Sequence, residues 1–221
     1  MDRKSVIAET ADERVDLCSF LEQLAPSDWA RPSLCPGWSV HEVLAHLCQE
    51  LTIRAMLIGG IRARGNFDRM NADMARALAA VREPSELIGQ LRRTASSMRL
   101  APFSKPEDAL LDVLVHGQDI ARPLGRVRSM RPDRVLPALD YAVGSIWYGG
   151  SKRFTTVRLV ATDVDWVGGN GAEEVHGTAG DLLLVATGRS AALASLSGPG
   201  VGTVRASSPT THLGRPGTLA G

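Results

Sequence analysis

The stretch that decides the fold is residues 107–125, EDALLDVLVHGQDIARPLG. Its apolar residues recur at helical spacing, and Pro123 and Gly125 end the pattern. Asp112 and His116 are four residues apart, so they lie about 40° apart around such a helix and share one face. Most of their neighbours in sequence are apolar, and a carboxylate in apolar surroundings needs a partner, such as a cation, to offset its desolvation.

Residues 33–47, SLCPGWSVHEVLAHL, predict the start of a second helix. Ser39 and Glu42 form the S-x-x-E pattern of a capping box, in which each residue binds the backbone N–H of the other. The pattern predicts a helix that begins at Val40 and runs to about Leu57.

Three residues of these two helices are candidate metal ligands. His46 lies within the second helix, and helices of a bundle can bring such a side chain to the same centre as Asp112 and His116. Three protein ligands leave a fourth position for water or substrate, as in catalytic zinc sites. The other interpretation is that both imidazoles are ordinary core or surface residues. Gln118 and Asp119 follow His116 and are candidates to orient its ring by hydrogen bonding, although the polarity of the helix also explains them.

Three neighbouring features are weaker candidates. Glu50 is four residues from His46 and is either a spare ligand, a group behind the ligands or a solvated glutamate. His41 and His46 are five residues apart, about 140° around a helix, so HEVLAH does not make the paired site of an H-E-x-x-H metalloprotease. Cys35 lies in a Pro-Gly turn with no base placed beside it by the sequence, which favours a turn residue over a nucleophile.

The rest of the chain changes character near residue 150. Residues 5–25, 67–82, 84–100 and 132–147 predict further helices. Residues 155–166 and 201–206 predict strands, with short helices over 181–188 and 189–196. We therefore expect a helical bundle over 1–150, a small α+β domain over 151–206 and a disordered, turn-rich tail over 207–221.

Composition excludes several classes of protein. The 221 residues are 44% hydrophobic, enough for a sizeable core. Lys and Arg number 25 against 24 Asp and Glu and form no basic stripe, which argues against a nucleic-acid partner. The sequence has neither a signal peptide nor an apolar run long enough to span a membrane, and its three cysteines form no CxxC pair. These features predict a cytoplasmic protein.

Three segments together resemble the mycothiol-dependent maleylpyruvate isomerase family, which belongs to the wider DinB-like metal-binding bundles. They are residues 33–47, residues 112–125, and the run from RLVATDVDW at 158–166 to GRSAALASLSGPGVGTVRA at 188–206. The resemblance implies a DinB-like four-helix-type bundle followed by a sterol-carrier-like α+β domain. It also implies a divalent metal, typically zinc, held at the positions of His46, Asp112 and His116. The family commonly has Glu where this chain has Asp112.

The resemblance implies a function as well. Family members use mycothiol, a small thiol, as cosubstrate with a small electrophile, and Arg189 matches an arginine that contributes to the pocket, where it would hold an anionic group. An isomerase or a thiol S-transferase is therefore expected. Two alternatives stay open, a metal-dependent hydrolase on the same scaffold and a non-catalytic metal- or ligand-binding stress-response protein, because fold and metal do not determine the reaction. The oligomeric state is open too, a homodimer included.

Overall fold

A computed structural model describes residues 2–49, 53–63, 65–97, 100, 104–146, 148 and 150–207. The fold is mainly helical, with a three-stranded sheet near its C-terminal end. The helices are α1 Arg3–Leu21, α2 Val40–Leu47, α3 Ile53–Arg62, α4 Phe67–Ala79, α5 Pro84–Arg93, α6 Pro106–Ala121, α7 Pro132–Gly144, α8 Gly150–Arg153, α9 Ala179–Ala186 and α10 Val201–Ser207. The strands are β1 Val157–Ala161, β2 Val167–Gly168 and β3 Glu173–Gly177. None of the helices in the described ranges has both the length and the apolar composition of a membrane span.

Two units divide the chain, Met1–Ser129 and Met130–Gly221. The division lies ahead of the boundary near residue 150 that the sequence predicts, because α7 packs on α9 and is therefore part of the second unit. A helical pattern in sequence shows that α7 is a helix but not which unit buries its apolar face.

The first unit is a helical bundle in which α6 is largely buried. Helix α6 packs on both α1 and α2, and α2 also packs on α4 and α5. Every residue of α6 from Val113 to Ala121 is buried, including the polar Gln118 and Asp119. Such burial requires each polar side chain to find a partner inside the bundle.

Helix α2 begins where the capping box predicts. The Ser39 hydroxyl accepts a hydrogen bond from the Glu42 N–H at 3.2 Å, and the Glu42 carboxylate accepts one from the Ser39 N–H at 2.6 Å. The helix ends at Leu47, well short of the predicted Leu57, and α3 follows as a separate helix. At this end the Gln90 side-chain amide donates to the Cys48 carbonyl at 2.9 Å, so a residue of α5 satisfies a carbonyl that the helix leaves without an internal partner.

The second unit is a small α+β structure. Strand β1 lies at the centre of the sheet, antiparallel to β2 and parallel to β3. Its Leu159 pairs with Val175 of β3, and both side chains are buried. Helix α9 packs on β1, on β3 and on α7, which explains why all of its residues are buried.

The predicted strand over 201–206 is wrong, because these residues form α10. Ser197 pairs with His176, so the edge position beside β3 is already taken. Gly198 then turns the chain away with a φ of 104°, a conformation that favours glycine. The Val204 N–H bonds to the Gly200 carbonyl at 3.0 Å, which is a helical hydrogen bond. Of the predicted tail over 207–221, residues 208–221 lie outside the described residues.

Candidate metal centre

The predicted ligands His46, Asp112 and His116 come together in the first unit. One ligand atom from each lies within 4.8 Å of the other two. Asp112 and His116 are one turn apart on α6, and His46 reaches them from the last turn of α2, which packs on α6. The side chain of His116 is 5% exposed and that of His46 is 14% exposed, whereas that of Asp112 is 45% exposed. The cluster is therefore closed on the imidazole side and open beside the carboxylate.

The distances in the cluster fit a metal site better than direct hydrogen bonds. One carboxylate oxygen of Asp112 lies 3.3 Å from His116 Nε2 and 3.6 Å from His46 Nε2. Charge-assisted N–H···O hydrogen bonds are typically about 2.7–2.9 Å long. Ligand atoms at about 2.0–2.1 Å from a tetrahedral zinc ion are separated by roughly 3.3–3.4 Å. Both nitrogen–oxygen distances are close to this separation, and two imidazole nitrogens with one carboxylate oxygen are a donor set that suits zinc.

Asp119 determines which ring nitrogen of His116 faces the cluster. The His116 Nδ1–H donates to Asp119 Oδ2 at 2.9 Å, and Asp119 is fully buried. A hydrogen bond from Nδ1 leaves Nε2, on the other side of the ring, directed at Asp112. This arrangement of carboxylate, imidazole and ligand position is the usual one behind metal-binding histidines.

The Cys35 thiol is the partner that sequence reasoning missed. It donates to the same Asp119 oxygen at 3.2 Å and lies 3.6 Å from His116 Nδ1. Cys35, His116 and Asp119 are a second group of three potential metal donors, all of them buried. The 2.9 Å hydrogen bond between His116 and Asp119 identifies this group as a support for His116 rather than as a second ion site. Cys35 lies far from His116 in sequence, and only its turn motif marks it.

His46 is held differently from His116. Its Nδ1 is buried and has no hydrogen-bond partner among the residues that the structure describes. Its ring instead contacts the ring of Trp38 edge-on, at 5.4 Å between centroids, and that of His116 at 4.9 Å. Because no hydrogen bond holds Nδ1, the contacts with the two rings orient His46. Leaving this buried nitrogen without a hydrogen bond costs free energy.

The electrostatics of the cluster stabilise opposite charges. Burial raises the pKa of Asp112, but the neighbouring His116 and His46 outweigh it, and the pKa lies well below its usual value. Burial lowers the pKa of His116, but Asp112, Cys35 and Asp119 outweigh it, and the pKa lies well above its usual value. Asp112 and His116 therefore each favour the charged form of the other.

The remaining predicted residues have different surroundings. Gln118 faces away from the cluster: its amide donates to the Arg128 carbonyl at 2.6 Å and accepts from Arg122 at 3.1 Å. Glu50 lies outside the described residues. Arg189 is in the second unit, where it is partly buried and one guanidinium nitrogen donates to the Thr187 carbonyl at 2.9 Å. A pocket role for Arg189 stays a prediction.

Comparisons with known proteins agree with this architecture. Two uncharacterized proteins of Mycobacterium tuberculosis, from strains CDC 1551 / Oshkosh and ATCC 25618 / H37Rv, are each 28% identical to the chain over 222 residues, covering 84% of it and 85% of each relative. Crystal structures of mycothiol-dependent maleylpyruvate isomerase and of a histidine-to-alanine mutant of it share the fold. Both have a TM-score of 0.59, cover 90% of this chain and 93% of theirs, and are 13% and 12% identical to it.

A family model matches the part of the chain that carries His46, one of the three candidate ligands. The mycothiol maleylpyruvate isomerase N-terminal domain matches residues 10–111, a range that includes Cys35 and His46 and ends immediately before Asp112. Residues 10–111 of the chain are therefore similar to the mycothiol maleylpyruvate isomerase N-terminal domain, and the chain shares the fold of the solved maleylpyruvate isomerases.

Proposed function

We propose that this protein is a metal-dependent enzyme that activates a small thiol, mycothiol, for reaction with a small electrophile. The observation that carries the proposal is the convergence of His46, Asp112 and His116, with one Asp112 oxygen 3.3 Å from His116 Nε2 and 3.6 Å from His46 Nε2 and one ligand atom of each residue within 4.8 Å of the others. Mycothiol enters from the family name and from the solved maleylpyruvate isomerases that share the fold.

Each residue of the cluster has a distinct task. A bound divalent cation would supply the positive charge that lowers the pKa of a thiol at the open position. His46 and His116 would hold the cation with neutral nitrogens, and Asp112 would offset one unit of its charge. The half-exposed side chain of Asp112 marks the open side, so the thiol approaches there rather than past the buried imidazoles.

The proposed reaction is isomerisation of an activated double bond. The thiol sulfur forms a bond to one alkene carbon while the alkene electron pair moves into the conjugated carbonyl group. Rotation about the resulting single bond follows. The carbon–sulfur bond then breaks, the double bond re-forms with the other geometry, and the thiol is regenerated. If the sulfur stays bound and the proton released by the thiol is taken up at the neighbouring carbon, the same first step gives S-transfer. Arg189 is proposed to pair with an anionic group of the substrate, as a planar guanidinium does with a carboxylate.

The cysteines suit a protein that works beside a free thiol. Cys18, Cys35 and Cys48 are buried and form no disulfide bond in the described part of the chain. Reduced cysteines are typical of a reducing compartment, and we place the protein in the cytoplasm on this ground.

Metal analysis and calorimetry test the proposal. The purified protein is expected to carry close to one divalent ion per chain, with zinc preferred. Titration with mycothiol should give saturable heat only for the zinc-loaded protein, and the loaded protein with mycothiol should isomerise maleylpyruvate. Metal-free protein that binds mycothiol equally well would contradict a role of the metal in thiol binding. If the zinc-loaded protein binds no mycothiol, the proposed thiol-dependent reaction is contradicted.

A further inference from the structure

A closed turn of four residues precedes α2 and contacts α6, the two helices that carry the cluster. Cys35, Pro36, Gly37 and Trp38 form it, and we call it the CPGW turn. The Trp38 N–H bonds to the Cys35 carbonyl at 3.0 Å, and Gly37 has a φ of 74°. A proline followed by a glycine of positive φ inside such a hydrogen bond is the signature of a type II turn. The ends of the turn are thus held at a fixed separation.

The first end of the turn is attached to α6. The Cys35 thiol donates to Asp119 Oδ2 at 3.2 Å, and the N–H of the preceding Leu34 donates to the Asp119 backbone carbonyl at 3.0 Å. The same Oδ2 accepts the Nδ1–H of His116. Because Asp119 is fully buried, its carboxylate depends on donors such as these. Cys35 therefore acts on the orientation of His116 through one shared oxygen.

The second end of the turn is attached to α2. The Trp38 ring is 3% exposed and meets His46 at an interplanar angle of 64°. His46 Nδ1 has no hydrogen-bond partner in the described part of the chain. The edge contact with Trp38 therefore orients the His46 ring by packing, whereas Asp119 orients His116 by a hydrogen bond. Ser33 braces the end, because its hydroxyl donates to the Trp38 carbonyl at 2.9 Å.

We infer that the CPGW turn is the element that positions both imidazoles of the metal centre, with Cys35 acting through Asp119 on His116 and Trp38 acting on His46. The inference rests on the proposed metal site and adds two positioning residues to it. The turn contacts Asp119, which supports His116, and it also contacts His46 itself. It therefore sets the distance between the Nε2 atoms of the two histidines. Neither Cys35 nor Trp38 contributes a ligand atom to the cluster of His46, Asp112 and His116.

Cys35→Ala tests the first arm, with Cys18→Ala as the matched control. Cys18 is also a buried thiol of the first unit, but it donates to the Ile88 carbonyl at 3.6 Å. Both variants should lose similar thermal stability. Only Cys35→Ala should weaken zinc binding, by about tenfold, the lower end for a group behind the ligands. Cys35→Ser keeps a donor for Asp119 and should restore most of the affinity.

A measurement on metal-free protein separates this inference from the proposed function. The hydrogen-bonded Nδ1–H of buried His116 should give a slowly exchanging downfield proton resonance in the wild type and in Cys18→Ala. In Cys35→Ala it should exchange faster. If the wild type binds no zinc, the proposed function fails, and the resonance still reports whether Cys35 orders His116. Unchanged resonance and unchanged zinc affinity in Cys35→Ala would overturn the role of Cys35.

Trp38→Leu tests the second arm, and Trp29→Leu is its control. Trp29 meets His41 edge-on at 6.3 Å between ring centroids, a similar contact that lies outside the donor cluster. Trp38→Leu should weaken zinc binding and change the visible absorption of the cobalt-substituted protein, which reports ligand geometry. Trp38→Phe should restore the spectrum, and Trp29→Leu should leave it unchanged. Equal spectra for both leucine variants would overturn the role of Trp38.

Discussion

Zinc should stabilise the first unit against heat, and His116→Ala should abolish the effect. The ligands come from α2 and α6, so only the folded bundle assembles all three. A ligand that binds only the folded state adds about 2.7 kcal/mol to the free energy of unfolding at 100 times its Kd. At roughly 3 °C for each kcal/mol in a unit of this size, Tm should rise by about 8 °C.

The direct cost of the substitution must be separated from the loss of zinc. The His116 side chain is buried, and its removal deprives Asp119 of a donor, which costs about 1–3 kcal/mol without any metal. Each variant is therefore compared with itself by scanning calorimetry, with chelator and with zinc. His41→Ala is the control, because His41 shares α2 with His46 but lies outside the cluster. An 8 °C rise in His116→Ala equal to that of the wild type would refute the ligand assignment.

Three further predictions concern single residues. Asp112→Asn should fold, since the side chain is half-exposed. It should bind zinc more than about 100-fold less tightly, because it loses the charge that offsets the cation, and equal affinity by chelator competition would exclude Asp112 as a ligand. Arg189→Ala should leave the metal content intact and weaken the binding of an anionic substrate by about 10- to 100-fold, the value of a charged hydrogen bond. Identical affinities by calorimetry would show that Arg189 serves only its hydrogen bond with the Thr187 carbonyl. Burial raises the pKa of Cys48 to about 12, so at pH 8 only about one thiol in ten thousand is ionised. Alkylation of Cys48 by iodoacetamide should therefore be very slow until the pH rises or the protein unfolds. Labelling of Cys48 in the native protein at the rate of a free thiol would show that it is accessible.

Arg189 illustrates where the resemblance and the structure contribute different information. The resemblance assigns it to a pocket, whereas the structure gives its surroundings within the second unit, where its own N–H bonds to the Leu184 carbonyl at 2.8 Å and closes the end of α9. The hydrogen bond at the end of α9 gives Arg189 a structural role. The Arg189→Ala substitution tests whether it also binds an anionic substrate.

The sequence by itself determined the features that depend on near neighbours. The capping box of Ser39 and Glu42 places the start of α2 at Val40, and the four-residue spacing of Asp112 and His116 puts both on one face of α6. These follow from helix geometry and from hydrogen bonds that close within one turn. The strand predicted over 201–206 failed because pairing depends on a free sheet edge, and Ser197 occupies the one beside β3.

Only the tertiary structure decided which distant residues serve the site. His46 reaches the pair on α6 because α2 packs on α6, and Cys35 meets Asp119 because the loop before α2 folds back on the same helix. Gln118 and Asp119 are adjacent and equally polar in sequence, yet Asp119 supports His116 while Gln118 bonds to Arg128 and Arg122. Neighbours on a helix point about 100° apart, so the surrounding bundle, which no local pattern encodes, determines what each one contacts.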